Sequence, residues 1–211
     1  MAHKLLSMIT PDAISFFTKG EILKSLQRAG WATAGIECVA FESVADHSYG
    51  TALISLFLAK KLEEDGEDID LGETLAMAIL HDLGEAVVSD IPSTPDTIDS
   101  ERFVAEKSTL EMRALQSILD PLGDLGGFLR NQWDTYRQGI SLEARVVGSA
   151  DTLDMLVHAL SMERSGVSPD LLQGFFDSGR ARLEGFGIAL AMNLYRDLER
   201  QHVSSRGDGS R

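Results

Sequence analysis

The sequence has few of the residues that would bind a negatively charged polymer. Of its 211 residues, 19 are Lys or Arg and 33 are Asp or Glu, so the formal net charge is −14 at pH 7. The phosphates of nucleic acids and anionic membrane surfaces repel such a chain. The composition therefore argues against a nucleic-acid polymer or a membrane as a partner. It does not exclude a small phosphorylated substrate, because that needs only a local cation or a metal ion.

Cysteine and long apolar runs are also scarce. Cys38 is the single cysteine, so no intramolecular disulfide can form, and we expect a reducing compartment. No apolar run approaches the roughly 20 residues needed to cross a bilayer. Near the N-terminus, Pro11-Asp12 interrupts the apolar residues and no cleavage site follows. The sequence predicts a soluble, cytoplasmic protein.

Helical periodicity runs through nearly the whole chain. Apolar spacing and Gly or Pro boundaries predict helices over the following ranges: 11–30, 43–64, about 72 through the stretch 79–92, 100–119, 128–137, 141–163, a short one from 169, and 181–202. Residues 31–44 are predicted as a loop, with an extended piece at 39–41. The predicted fold class is an all-α bundle of about seven to nine helices. It would form one domain over residues 1–203, followed by a disordered tail over 204–211.

The stretch 79–92, ILHDLGEAVVSDIP, concentrates polar groups among apolar neighbours. If one helix runs through its first half, His81, Asp82 and Glu85 share one face, because they are three and four residues apart. Asp90 follows just before a proline that blocks any further helix. Charged groups in apolar surroundings persist only when they are paired or bound to metal. On this segment alone, a hydrogen-bonded helix end and a metal site explain the pattern equally well.

Two residues from other helices favour the metal site. His47 lies on the apolar stripe of the predicted second helix, and Asp151 lies beside the stripe of the helix over 141–163. Singly, each would be an ordinary core histidine or a partly exposed carboxylate. With His81 and Asp82 they supply two imidazoles and two carboxylates from three helices, enough to bind one divalent metal and leave positions for water and substrate. Mn, Co, Zn, Fe and Mg all suit this ligand set.

These residues follow the H…HD…D order of the HD-domain metal-dependent phosphohydrolases. The chain most resembles the HD-domain 5′-deoxynucleotidases and the related HD-domain-containing protein 2 family. The resemblance rests on four strings: RAGW from Arg28, ESVADHSY from Glu42, LHDLGEAVVSDI from Leu80 and EARVVGSADTLDML from Glu143. Together they span roughly residues 20 to 165, which is essentially the catalytic domain of that family.

The resemblance implies a role for each site residue. The metal ligands would be His47, His81, Asp82 and Asp151. Glu85 would orient or deprotonate the attacking water. The reaction would be hydrolysis of a deoxynucleoside 5′-monophosphate to a deoxynucleoside and phosphate, and the resemblance also suggests a homodimer.

On the substrate side, the resemblance implies that Asp90 lies beside the leaving deoxyribose and takes part in catalysis. Trp31 would pack against that sugar and disfavour a 2′-hydroxyl. Arg28 is the nearest basic candidate for the phosphate. The sequence departs from its relatives here: Gly50 stands where many have Arg, and the loop 32–41 is about two residues longer and contains no Arg or Lys. The residue that binds phosphate is therefore left open, as is the choice between mono- and triphosphate.

Three alternatives stay open from the sequence. A deoxynucleoside triphosphate triphosphohydrolase, or a hydrolase of another small phosphoester, could use the same four ligands. A non-catalytic HD domain could bind metal and nucleotide as a sensor, although Glu85 and Asp90 beside the ligands favour an enzyme. The histidines and Asp151 could also be unrelated polar groups of the core, but three separate segments would then have to match the family pattern by chance.

Overall fold

The structure is a computed structural model that describes residues 2–36, 42–92 and 101–208. Within these ranges the regular secondary structure is helical, and one isolated antiparallel bridge joins Gln27 and Ser43, which confirms the predicted all-α class. The predicted extended piece at 39–41 lies outside the described residues. The helices are α1 Ala2–Leu23, α2 Ala29–Thr33, α3 Val44–Glu64, α4 Leu71–Leu80, α5 Glu85–Val88, α6 Glu101–Leu119, α7 Asp124–Gln138, α8 Leu142–Arg164, α9 Pro169–Phe186 and α10 Ala189–Asp208, with a 3₁₀ turn at Asp120–Leu122.

Three helix starts predicted from local signals are confirmed. Ser43 caps α3, accepting a hydrogen bond from the Asp46 backbone N–H, and the Asp46 carboxylate accepts one from the Ser43 N–H. Ser141 Oγ accepts a hydrogen bond from Ala144 N at 3.2 Å and so caps α8. Pro169 is the first residue of α9, where its missing N–H costs nothing. These caps set the register of α3 and α8, which carry two of the predicted metal ligands.

The prediction for the first helix was wrong at both ends. Pro11 lies inside α1 rather than at its start; a proline removes one helical hydrogen bond, but the residues around it can stay helical. The chain then leaves the helix at Leu23 instead of Gly30. Two backbone hydrogen bonds account for this: Val44 N donates to Leu26 O at 2.8 Å, and Arg28 N donates to Glu42 O at 3.1 Å. They tie residues 26–28 to residues 42–44.

The predicted single helix through the central stretch is also wrong. α4 ends at Leu80, residues 81–84 form a turn, and α5 begins at Glu85. Gly84 packs against α6 so closely that a Cβ there would lie 3.3 Å from Glu111 O. The chain therefore turns at the HDLG segment to make this contact. His81 and Glu85 lie at the two ends of a turn rather than on one helix face.

A glycine, Gly187, separates the last two helices, α9 and α10. Gly187 has φ +68°, the left-handed conformation that commonly ends a helix, so α9 stops at Phe186. The predicted helix over 181–202 was therefore wrong at its start. α10 continues to Asp208, through residues that the sequence analysis assigned to a tail.

Helix α8 is the centre of the bundle. It packs against α3, α4, α7, α9 and α10, and it is buried around most of its circumference, which is expected of a helix enclosed by others. Its Leu153 and Leu156 belong to the main hydrophobic core. Asp151 is buried within this helix, not partly exposed as its place beside the stripe suggested. Among the described helices, none is long and apolar enough to cross a membrane.

Candidate metal centre and active site

Side chains from three parts of the chain meet at one point in the bundle. His47 lies in the first turn of α3, His81 and Asp82 lie in the turn after α4, and Asp151 lies in the middle of α8. The two imidazole Nε2 atoms are 3.3 Å apart. Asp82 Oδ2 is 3.1 Å from His81 Nε2 and 3.7 Å from His47 Nε2, and Asp151 Oδ1 is 3.2 Å from His47 Nε2. The structure thus places ligand atoms of His47, His81 and Asp82 within 4.8 Å of one another and Asp151 against His47; we call these four candidate ligands the metal centre.

The hydrogen bonds made by the Nδ1 atoms of the two imidazoles leave the Nε2 atoms as acceptors. His81 Nδ1 is 2.8 Å from Ala78 O, which can only accept, so that nitrogen carries the proton. His47 Nδ1 is 2.8 Å from Asp154 Oδ2 and donates to it. In the neutral rings, both Nε2 lone pairs then face each other and the carboxylates of the centre. Two imidazole Nε2 lone pairs and two carboxylates form an N/O ligand set that fits a divalent metal ion.

Both carboxylates of the centre are held in the ionised form. Burial alone would raise the pKa of Asp151, but Arg182 and His47 hold it well below its usual range. Burial likewise opposes charge on Asp82, and His81 and Arg28 outweigh it and lower its pKa. Metal ligation requires a carboxylate, and these partners keep both groups in that form.

Metal binding is expected to release at least one proton near neutral pH. Burial and Arg28 both lower the pKa of His47, but its hydrogen bonds to Asp151 and Asp154 outweigh them and raise it to about 10 in the metal-free protein. Ligation needs the neutral imidazole, so below that pH the metal must displace a proton. Its affinity should then rise by about tenfold per pH unit between pH 7 and 9.

The measurement is a calorimetric titration of metal-free protein with Mn²⁺ in buffers of different ionisation enthalpy. The slope of the observed heat against buffer enthalpy gives the number of protons released. A slope of zero at pH 7.5 would show that His47 is already neutral, and would contradict the predicted proton release.

Asp154 orients His47, and the sequence analysis did not assign it this role. It lies one turn after Asp151 on α8. Gly50, one turn after His47 on α3, leaves room for it: a Cβ on Gly50 would lie 1.9 Å from Asp154 Oδ1. This explains why the chain has no arginine at position 50. The contact between Asp154 and His47 had one signal in the sequence: a glycine three residues after His47 and an aspartate three residues after Asp151.

Substituting Gly50 by alanine is expected to weaken metal binding by roughly 10- to 100-fold, the usual cost of losing a partner behind a metal-ligating histidine. The added methyl group would displace Asp154 and leave His47 without its Nδ1 acceptor. Gly174→Ala on α9 is a matched control, because a Cβ there meets nothing within 4 Å. Competition with a chelating indicator measures the affinity; parental affinity in Gly50→Ala would show that Asp154 is not needed.

Glu85 stands at the start of α5 with a carboxyl group suited to proton exchange. Its Oε2 is buried and has no hydrogen-bond partner among the described residues. Burial and the charges of Asp82 and Asp90 raise its pKa to about 9, against the opposing effect of Arg28 and Lys107. A carboxyl group with so perturbed a pKa, next to a metal centre, is typical of an active site.

Helix α2 and its flanks border the centre. Asp90 Oδ2 accepts a hydrogen bond from Ala29 N at 2.7 Å. Arg28 Nη1 donates to Asp82 Oδ2 at 3.1 Å, and the arginine side chain is 18% exposed. Trp31 is 2% exposed, and its indole N–H donates to Glu42 Oε1 at 3.0 Å. The structure therefore places Arg28 and Asp90 next to the centre and Trp31 in the core behind them.

Helix α7 supports the turn that carries His81. Trp133 Nε1 donates to His81 O at 3.2 Å. The Tyr136 ring meets the His81 imidazole edge-on, with the centroids 5.8 Å apart. This support could not be predicted from the sequence, because α7 is separated from His81 by about 50 residues and carries no motif of its own.

A second arginine was missed as well. Arg182 on α9 places Nη2 2.6 Å from Asp151 Oδ2. It lies 31 residues after Asp151, beyond the strings that carry the family resemblance, so no motif pointed to it.

Comparisons with known proteins agree with this geometry. The family model described as an HD domain matches residues 20–177. A protein of Dictyostelium discoideum named 5′-deoxynucleotidase HDDC2 is 36% identical over 176 residues, covering 80% of this chain and 88% of the relative. A solved structure from Pyrococcus horikoshii has a TM-score of 0.73 and 31% identity, covering 89% of this chain and 99% of the other. An HD-domain phosphohydrolase from Listeria innocua has a TM-score of 0.74 at 16% identity over 92% of this chain and 91% of its own, and shares the fold alone.

Proposed function

The chain belongs to the HD-domain family and is a metal-dependent phosphohydrolase, and from this premise we propose that its substrates are deoxynucleoside 5′-monophosphates. The observation that carries the proposal is the convergence of His47, His81, Asp82 and Asp151 on one point, with Glu85 beside it. The substrate class is supported by the name of the Dictyostelium relative, a 5′-deoxynucleotidase at 36% identity. The products would be a deoxynucleoside and orthophosphate.

We propose that the four residues of the centre hold one divalent ion. When bound, such an ion polarises a phosphoryl oxygen and lowers the pKa of a bound water. Glu85 then orients the attacking water and accepts its proton, since its partnerless Oε2 is available and the added positive charge favours its ionised form. Burial of the site strengthens each of these electrostatic interactions. Mn, Co, Zn, Fe and Mg remain candidates for the ion.

The sugar side of the site is assigned to Asp90 and Trp31. Asp90 is held by the Ala29 N–H through one oxygen, and we propose that its carboxylate lies next to the leaving deoxyribose. Trp31 has only 2% of its surface exposed, which leaves little area for contact with a sugar. We propose that it disfavours a 2′-hydroxyl by fixing the position of α2, whose backbone borders the site.

We also propose a cellular location and an oligomeric state for the enzyme. The single cysteine, Cys38, supports a cytoplasmic location. A homodimer is proposed from the family resemblance, and the exposed apolar side chains of α3, among them Tyr49, Leu53 and Phe57, offer a surface for it. The partner of the site itself is a small nucleotide, not a nucleic-acid polymer.

The test is phosphate release from deoxy- and ribonucleoside mono- and triphosphates. Chelator-treated protein is assayed with Mn, Co, Zn or Mg added back. Metal-dependent orthophosphate from the deoxy-monophosphates, with little from their ribo counterparts, is the expected result. Inorganic triphosphate from the triphosphates would replace the monophosphate assignment with a triphosphohydrolase. Bound metal without any hydrolysis would favour a sensor.

A further inference from the structure

The acidic metal centre needs cations to receive a phosphate, and few are within reach. The loop 32–41 contains no Arg or Lys, and Gly50 has no room for a side chain because Asp154 lies against it. Among the described residues, the arginines that form ion pairs with carboxylates of the centre are Arg28 and Arg182. These two guanidiniums lie against the centre itself, whereas Lys107 is near enough to Glu85 to lower its pKa but bonds to Ile91 O.

The guanidinium of Arg28 already interacts with carboxylates of the protein. Its Nη1 is bonded to Asp82 Oδ2 at 3.1 Å, its Nε lies 4.0 Å from Glu42 Oε1, and its side chain is 18% exposed. Four carboxylates, those of Asp82, Asp151, Asp90 and Glu42, raise its pKa against the effect of burial. One arginine so surrounded by negative charge is poorly placed to balance a phosphate dianion by itself.

Arg182 is placed differently. Its Nη2 donates to Asp151 Oδ2 at 2.6 Å, on the side of the carboxylate opposite the oxygen that faces His47. The side chain is 44% exposed, against 18% for Arg28. A guanidinium has five N–H donors in a rigid fork, and one bond to Asp151 leaves others for an incoming anion.

The packing of α9 explains how Arg182 reaches the centre. Gly179, one turn earlier on the same face, lies so close to α8 that a Cβ there would be 3.1 Å from Leu156 Cδ1 and 3.4 Å from Thr152 Cγ2. This close approach brings the face of α9 that carries Arg182 against the segment of α8 that carries Asp151. The arginine is thus positioned by helix packing and not by a flexible loop.

The charges of the site also favour a second cation. Two carboxylates of the centre cancel the two charges of a divalent ion, and the imidazoles that bind it are neutral. Since Arg28 is already surrounded by carboxylates, a second guanidinium beside the centre favours binding of the doubly charged phosphate monoester.

We propose that Arg182 binds the phosphoryl group of the substrate. This inference rests on the proposed function, since it assumes a phosphate at the metal centre. Arg182 lies beyond residue 177, where the match to the HD-domain family model ends.

The test measures binding of inorganic phosphate to the Mn²⁺-loaded protein by calorimetry, and it needs no turnover. We expect Arg182→Gln to weaken phosphate binding by roughly 10- to 100-fold, and Arg182→Lys to bind with intermediate affinity. Arg180→Gln is the matched control, because Arg180 lies on the same helix, is exposed and pairs with Glu184. Metal affinity is measured in parallel, and phosphate is titrated at saturating metal.

If Arg182→Gln binds phosphate as the parent does at saturating metal, Arg182 only neutralises Asp151 and the inference is overturned; absence of phosphate binding to the parent would overturn it too. The proposed function is judged separately by hydrolysis. If the protein binds phosphate through Arg182 but hydrolyses no deoxynucleotide, the role of Arg182 is supported and the proposed substrate is contradicted. If the protein hydrolyses deoxynucleotides and Arg182→Gln changes neither KM nor phosphate binding, the proposed substrate is supported and the role of Arg182 is contradicted.

Discussion

Replacing His81 by alanine is expected to leave the protein without stoichiometric metal and without hydrolysis. His81 supplies one of the two Nε2 lone pairs of the centre, and the Ala78 carbonyl fixes the ring in the tautomer that ligation needs. Loss of a direct ligand should cost more than the roughly 100-fold that loss of an outer partner costs. Metal content after dialysis should fall from about one ion per chain to near zero. Asp82→Ala should behave alike, because it removes a ligand and leaves Arg28 without its closest partner.

His158→Ala is the matched control for this experiment. The His158 Nδ1 atom lies 3.5 Å from Glu42 Oε2 and its ring packs against Trp31; since the variant changes none of the four candidate ligands, it should keep its metal. Circular dichroism and thermal unfolding separate loss of metal from loss of fold. A His81→Ala protein that retains one tightly bound ion per chain would remove His81 from the ligand set.

Substituting Glu85 by glutamine is expected to keep the metal and abolish most turnover. Glutamine has the shape of the glutamate but cannot accept the proton of the attacking water, so kcat should fall by about 10²- to 10⁴-fold. The buried Oε2 of Glu85 has no partner among the described residues, so the change breaks no hydrogen bond there that the fold depends on. The measurement is single-turnover phosphate release with metal content determined on the same sample.

The control for Glu85→Gln is Glu106→Gln, which changes a surface carboxylate that pairs with Arg102. Glu85→Ala should show the same split between retained metal and lost turnover, unless an empty volume at the start of α5 perturbs the turn. Full activity in Glu85→Gln would exclude Glu85 as the residue that handles the proton.

The ligand residues could be predicted from the sequence because each carries a local signature. His81 and Asp82 are adjacent in an apolar segment, His47 lies on the buried stripe of a capped helix, and Asp151 interrupts an otherwise apolar region. Polar residues at positions that the periodicity assigns to the core must be satisfied, and four of them from three helices indicate a shared site. In the structure His47, His81 and Asp82 lie together and Asp151 contacts His47, although the helix assumed for His81 and Glu85 is a turn.

The partners of the ligands could not be predicted, because they depend on which helix faces interlock. Asp154 bonds His47 only because Gly50 leaves space on α3, and Arg182 reaches Asp151 only because Gly179 lets α9 approach α8. Periodicity shows that a face is buried but not which neighbour covers it. The end of α4 at Leu80 could not be predicted for the same reason, because Gly84 packs there against α6, a helix that comes later in the chain.

The two hydrogen bonds that tie residues 26–28 to residues 42–44 have a consequence for how this enzyme can diverge. They fix both ends of the intervening segment close to the caps of α2 and α3, so the length of that segment is decoupled from the position of His47. Lengthening a closed loop costs only about 0.6 kcal/mol for each doubling. Insertions between Trp31 and Glu42 therefore cost little free energy of folding and leave the ligand set intact.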